Sequence, residues 1–243
     1  MIIFAHRGAS AYAPENTMPA IKLAVEMGST GIEIDVHMTK DGVIVVSHDG
    51  NLLRCGKVDI EISDHTFEEL LEYDVCHPDI FGDKFKGTKI PAFFDLVKYL
   101  KDIDYKGILN IEIKGDDKFK TVEGCIKIAD DLGFKENIMF SSFGPSNLVH
   151  SKKVDPSVKT GLLTWKEDPA PWDAPASYGC DALHPYYRVV PDEQVKEIMA
   201  KGFELNPYTI DDPNDMKHLI ELGVSGIITN RPDVCLEVYK NFK

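Results

Sequence analysis

Short apolar, β-branched runs alternate along the chain with longer stretches in which apolar residues recur at helical spacing. Residues 2–5, 31–36, 108–113, 138–141, 160–163, 182–184, 204–206 and 226–228 read as eight strands. Helices are predicted over residues 94–100, 118–132, 146–152, 192–200, 213–222 and 232–239. A further helix comes earlier: Asn16 or Thr17 can cap it, Ile21 and Val25 share one face, and Gly28 is placed to end it. Regular alternation of strand and helix predicts an α/β fold, a (β/α)8 TIM barrel, with a doubly wound open sheet as the alternative. One interval breaks the rhythm. Between the second strand and its return helix, residues 50–88 form a short insertion, preceded by a strand-like run over 43–47 and carrying a helical turn at 66–71.

At 243 residues, with no Ser/Gly-rich linker or charge block, one domain spanning residues 1–243 is expected, the insertion being a subregion of it. The 40 acidic against 27 basic residues give a net charge of -13. That balance argues against nucleic acid or an anionic membrane as the main partner, and a small anionic substrate would need a local positive centre such as a bound cation. Five scattered cysteines, odd in number and without a C-x-x-C pair, suit a reducing compartment and argue against thiolate zinc. No apolar run approaches the roughly 20 residues of a membrane span. Met1 leads straight into an apolar strand without a basic region or cleavage site, so a cytoplasmic protein without a membrane anchor is expected.

The candidate chemistry sits at strand ends. In residues 31–37 polar and apolar positions alternate, placing Glu33, Asp35 and His37 on one face, which is the lumen face of a barrel. Two carboxylates about 7 Å apart in a low-dielectric lumen repel, and a hard divalent cation keeps both ionised. Glu112-Ile113-Lys114 repeats the pattern on the next barrel strand, adding a third carboxylate and a cation. Alternating surface charge and an ordinary ion pair are the plainer readings of these two stretches. Oxygen ligation by Glu33, Asp35 and Glu112 would select Mg²⁺ or Ca²⁺ over zinc. His6 and His48 also end strand-like runs, beside Arg7 and Asp49, and imidazole suits both proton removal and proton return near neutral pH. Arg7 offers bidentate contact to a phosphate and Lys114 a point charge. Gly8 allows a tight turn after Arg7. Glu15-Asn16-Thr17 reads equally as a helix N-cap, and His37, His184, Tyr186 and Tyr187 read equally as pocket liners or filler. His65, His77, His150 and His218 receive no role.

The order of His6-Arg7-Gly8, Glu15-Asn16-Thr17, Glu33-Ile34-Asp35, His48-Asp49 and Glu112-Ile113-Lys114 resembles the glycerophosphodiester phosphodiesterase family, over residues 2–232. The resemblance implies metal-dependent hydrolysis of a small glycerophosphodiester, such as glycerophosphocholine or glycerophosphoethanolamine, to sn-glycerol 3-phosphate and an alcohol. It implies that His6 and His48 are the acid/base pair, that Glu15 lies beside the metal site, and that the insertion shapes the substrate entrance. The attacking oxygen, a glycerol hydroxyl giving a cyclic phosphate or water, stays open, as does the oligomeric state. Asn206-Pro207-Tyr208-Thr209 lies where many family members carry V-W-T, so Tyr208 stands in for a substrate-lining tryptophan and leaves the alcohol group in doubt. Ile228-Thr229-Asn230-Arg231-Pro232 matches the family's closing motif and reads as structural. Two rivals remain: a related lipid-directed phosphodiesterase, expected to show an apolar groove near Phe81 and Phe85, and a non-catalytic barrel that binds phosphodiesters.

Overall fold

Successive residues of a strand face opposite sides, so a barrel strand buried on both faces must carry two different sets of side chains. The structure is a computed structural model that describes residues 1–114 and 119–242. Along the chain run β1 (Ile2–His6), α1 (Met18–Glu26), β2 (Gly31–Met38), β3 (Ile44–Val46), the one-turn helices α2 (Leu53–Gly56), α3 (Phe67–Leu70) and α4 (Pro78–Phe81), then α5 (Phe93–Asp102) and β4 (Ile108–Ile113). They are followed by α6 (Lys120–Asp131), β5 (Ile138–Ser142), α7 (Pro145–Val154), β6 (Lys159–Thr164), α8 (Asp173–Tyr178), β7 (Ala182–Pro185), α9 (Asp192–Ala200), β8 (Glu204–Leu205), α10 (Pro213–Leu222), β9 (Gly226–Thr229) and α11 (Pro232–Phe242).

Eight parallel strands pair in the order β8-β7-β6-β5-β4-β2-β1-β9. Backbone hydrogen bonds from Ser225 N to Leu205 O (2.9 Å) and from Ile228 N to Pro207 O (3.0 Å) join the two ends, so the sheet is a nearly closed barrel and not an open doubly wound sheet. The ninth strand, β3, runs antiparallel beside β2. The predicted helix over 118–132 is seen as α6, its expected first residue, Lys118, lying outside the described residues. Helix α8 was not anticipated, because Pro169, Pro171 and Pro175 interrupt any helical period there. No helix among the described residues is long and apolar enough to cross a membrane.

The outward set, including Ile3, Ile34, Ile111, Phe140, Leu183 and Ile227, joins the buried helix faces in one main core. The inward set starts apolar, with Phe4, Met139, Ala182 and Ile228 plugging the lumen. It then turns polar: Asn110, Ser141, His184 and Asn206 are all at most 1 % exposed. Such a polar layer fits only where a neighbouring strand gives way. A Cβ at Gly161 would lie 2.5 Å from His184 Nε2, so glycine on β6 makes the space for the imidazole of β7. A third, smaller core of Val45, Leu52, Cys55, Ile62, Leu70, Val75 and Ile90 holds the insertion against β3.

Gly161→Ala is expected to destabilise the fold by roughly 1–3 kcal/mol through overpacking against His184. Urea unfolding measures it, and an unchanged midpoint would show that the ring moves aside freely.

Candidate active site

Strand register assembles the site before any side chain is considered. His6 pairs with Glu33 across β1 and β2, and Asp35 pairs with Glu112 across β2 and β4. The turn at Asp41-Gly42 then sends β3 back along β2, with Met38 opposite Ile44 and Val36 opposite Val46. Ser47 N donates to Asp35 O at 3.0 Å, which delivers His48 to the level of the carboxylates. At the end of β1, Arg7 and Gly8 have φ of 55° and 79°. A side chain at Gly8 would press a Cβ to 2.7 Å from the Ala20 backbone, so the turn requires glycine. The same turn aims the Arg7 N–H at Glu33 Oε2, 2.9 Å away.

Glu33, Asp35 and Glu112 are buried, and one oxygen from each lies within 4.8 Å of the others. Lys114 Nζ reaches Glu112 Oε1 at 2.7 Å and Asp35 Oδ1 at 3.2 Å, and Arg7 Nε lies 3.3 Å from Asp35 Oδ2. Asn16 clasps Asp35 as well, its Nδ2 donating to Oδ2 at 2.8 Å and its Oδ1 accepting from the Asp35 N–H at 3.2 Å. These contacts divide the three acids. Burial would push Asp35 up, but the charges of Arg7 and Lys114 outweigh it and hold the carboxyl below its usual range. Burial and the neighbouring carboxylates push Glu33 well above that range, and burial together with Asp35 pushes Glu112 to about 7.

Each candidate histidine has Nδ1 tied down. The Asn230 amide nitrogen donates to Asp211 Oδ2 at 2.6 Å, so its Oδ1, 2.7 Å from His6 Nδ1, must accept the His6 proton. The lone pair of His6 is thereby on Nε2, 3.9 Å from Glu33 Oε2. Burial and the nearby Arg7 push His6 down to about 4. His48 Nδ1 instead meets the Asp49 carboxylate at 2.6 Å, and the His48 carbonyl is held by His37 Nε2 at 3.1 Å.

A cleft of about 170 Å³ opens over these groups, lined by His6, Arg7, Glu33, His48, Glu112, Lys114 and Tyr208, with Asn110, Ser141 and Phe143 completing its walls. The residues match the Glycerophosphoryl diester phosphodiesterase family over 6–234. The chain belongs to that family. It is an enzyme of this kind, a phosphodiester hydrolase with glycerophosphodiester phosphodiesterase activity. The glycerophosphodiester phosphodiesterase of Caldanaerobacter subterraneus subsp. tengcongensis is 36% identical over 98% of both chains. One from Bacillus subtilis is 29% identical over 100% of this chain and 87% of its own. An Oleispira antarctica phosphodiesterase solved in complex with the product sn-glycerol-3-phosphate has a TM-score of 0.91 at 25% identity, covering 99% of this chain and 97% of that one.

Of the candidate site residues, His6, Arg7, Glu33, His48, Glu112, Lys114 and Tyr208 line the cleft, and Asp35 lies beneath, enclosed by Arg7, Lys114 and Asn16. Several expectations need correction. Thr17, one of the two expected caps, does occupy the cap position of α1, but without a side-chain cap bond, while Glu15 binds Arg7 Nη1 at 2.8 Å. With Nη1 on Glu15 and Nε 3.3 Å from Asp35, Arg7 is braced by two carboxylates on the wall of the cleft it lines. His37 supports the His48 backbone and is no pocket liner. His184 is buried in the lumen, where Asn206 Nδ2 meets its Nε2 at 3.0 Å. The Tyr186 ring packs 6.3 Å from that of Tyr208 and 5.4 Å from that of Tyr187. The closing motif is more than structural, since its Asn230 orients His6. Phe81 and Phe85 pack edge to face on each other, centroids 5.2 Å apart, within the insertion. Asn16, Asp211 and Arg54, which binds both Glu15 and Asp49, were missed; all lie within or beside the quoted motifs, but nothing in one sequence tells a supporting amide from a loop residue.

In this phosphodiesterase the raised carboxyl of Glu112 makes the folded state hold its proton longer than the unfolded chain does. Its contribution is complete below about 4.5 and is lost as pH rises through about 7. In chelator-treated protein, the stability of the wild type relative to Glu112→Gln is therefore expected to fall between those two pH values. Parallel urea titrations at each pH measure it, and a constant difference would contradict the raised acid.

Proposed function

We propose that the chain cleaves glycerophosphodiesters such as glycerophosphocholine and glycerophosphoethanolamine into sn-glycerol 3-phosphate and the free alcohol. A divalent cation, Mg²⁺ or Ca²⁺, would be held by Glu33, Asp35 and Glu112, and His6 and His48 would move the protons. One arrangement supports this reading: three buried carboxylates with oxygens within 4.8 Å, faced by two imidazoles whose Nδ1 atoms are tied down. The donor set fits a hard cation, because it is all oxygen and because burial and neighbouring carboxylates raise two of its acids, a cost that a dication would relieve. When bound, such a cation supplies charge stabilisation to the phosphate oxygens.

The remaining work falls to side chains. His6 is oriented by a neutral amide, and burial keeps its ring neutral near pH 7, so its Nε2 is unprotonated and free to take a proton as general base. His48, its Nδ1 held 2.6 Å from the Asp49 carboxylate and its ring on the cleft wall, serves as general acid to the departing alkoxide. The same pair serves either attacking oxygen, the glycerol hydroxyl that forms a cyclic phosphate or water itself. Lys114 presents its charge to the anion from between Glu112 and Asp35. Tyr208, its hydroxyl donating to Thr164 O at 3.0 Å and its ring 6.3 Å from Phe143, forms an aromatic wall for the substrate. The glycerol 3-phosphate held by the Oleispira antarctica relative is the product expected here.

Release of glycerol 3-phosphate from glycerophosphocholine is the direct test. EDTA should abolish it, and Mg²⁺ or Ca²⁺ added singly should restore it. No release from any glycerophosphodiester with either ion would end this reading. His6→Ala and His48→Ala are each expected to lower kcat by about 10²- to 10⁴-fold. Calorimetric titration should find cation binding retained in both, and full activity in both would remove the acid/base assignment.

A further inference from the structure

The insertion contributes one cation to the mouth of the barrel. Arg54 stands on α2 between Leu52 and Cys55, both of which are buried in the insertion's own core. That core fixes where the guanidinium points. Its Nε donates to Asp49 Oδ2 at 2.6 Å, and its Nη1 and Nη2 donate to Glu15 Oε2 and Oε1, each at 2.8 Å. Both carboxylates have a second engagement. Asp49 Oδ1 meets His48 Nδ1 at 2.6 Å, and Glu15 Oε1 accepts from Arg7 Nη1 at 2.8 Å. Charges thus alternate along one connected chain, His48, Asp49, Arg54, Glu15, Arg7 and Asp35.

We propose that Arg54 is a positioning residue, through which the insertion sets the orientation of His48 on one side of the cleft and of Arg7 on the other. The inference rests on the reading of His48 as an acid/base group. Its physical basis is directional. A planar guanidinium with donors at fixed angles can hold two carboxylates in one relative arrangement, whereas a lysine at the same place supplies a charge without the geometry. With Arg54 half exposed, the pairs add little to stability, as surface ion pairs do. Their effect is on placement. Asp49 held by Arg54 keeps the His48 proton on Nδ1 and Nε2 turned to the substrate, and Glu15 held by Arg54 keeps the Arg7 fork against Asp35.

The two arms separate kinetically. Asp49→Asn should lower kcat with little change in KM, Glu15→Gln should raise KM more than it lowers kcat, and Arg54→Gln should do both, with kcat down by about 10- to 100-fold. Adding Arg54→Gln to Asp49→Asn should lower kcat no further, since both act through His48. Arg54→Lys should recover little, and guanidinium ion should partly rescue Arg54→Ala where ammonium does not. Long-range ¹H–¹⁵N imidazole spectra, with His48 identified by its loss in His48→Ala, should show a single Nδ1-protonated tautomer in the wild type and a mixture in Arg54→Gln. The inference fails if Arg54→Gln keeps wild-type kcat and KM, or if its loss follows only a lowered melting temperature while the His48 tautomer stays put. It fails also if Arg54→Lys matches the wild type. Should His48→Ala itself keep full activity, the acid/base reading falls, and the tautomer spectra and the Glu15 arm still decide whether Arg54 positions its two partners.

Discussion

Three carboxylates concentrated at the mouth of a closed barrel set the terms for everything around them. Two unit charges about 4 Å apart repel by about 4 kcal/mol at an effective dielectric near 20, and Glu33, Asp35 and Glu112 present three such pairs in a buried place. The protein answers with an unequal distribution of partners. Asp35 receives Arg7, Lys114 and Asn16 and stays ionised; Glu33 receives a backbone N–H and Glu112 a single ammonium, and both hold their protons longer. A site so prepared gains most when a dication replaces those protons. On the proposed reading, the repulsion among these carboxylates and the affinity for a cation are two aspects of one arrangement.

Supporting that arrangement requires a barrel interior that changes character along its axis. The lumen is apolar around Phe4 and Met139, polar but uncharged at His184 and Asn206, and acidic at its mouth. Glycine at position 161 lets the middle layer exist by yielding its side-chain volume to His184. The gradient follows the side on which (β/α)8 enzymes place their chemistry, the C-terminal ends of the strands. The insertion extends the same logic outwards, since a small core of its own aims Arg54 at the two carboxylates that brace His48 and Arg7.

The fold was legible because its signals are local. Period-two alternation in β2 and β4 marked which face carried the acids, and residues 31–38 and 108–113 are strands with those acids facing inward. Helix α8 was not legible, because a proline-interrupted segment has no period to read and is ordered by packing between neighbours. The site was half legible. The side chains proposed for the chemistry stand in short motifs at strand ends, so Glu33, Asp35, Glu112, His6, His48 and Lys114 could be named as candidates. Groups that hold them are common residues whose meaning lies in a partner far along the chain: Asn230 serves His6 across 224 positions, and Arg54 serves Glu15 across 39.

What the sequence by itself determined is the alternation of barrel strands and their main helices, the side of each strand that is polar, and the candidate site side chains, since each depends on spacing within a few residues. The tertiary structure alone decided the pairing of those side chains: which carboxylate stays ionised, which nitrogen of each histidine is bare, and that two carboxylates brace Arg7. Distances between groups remote in the chain set the strength of every charge interaction, and only the closed barrel, with the insertion folded against it, brings those groups within hydrogen-bonding range.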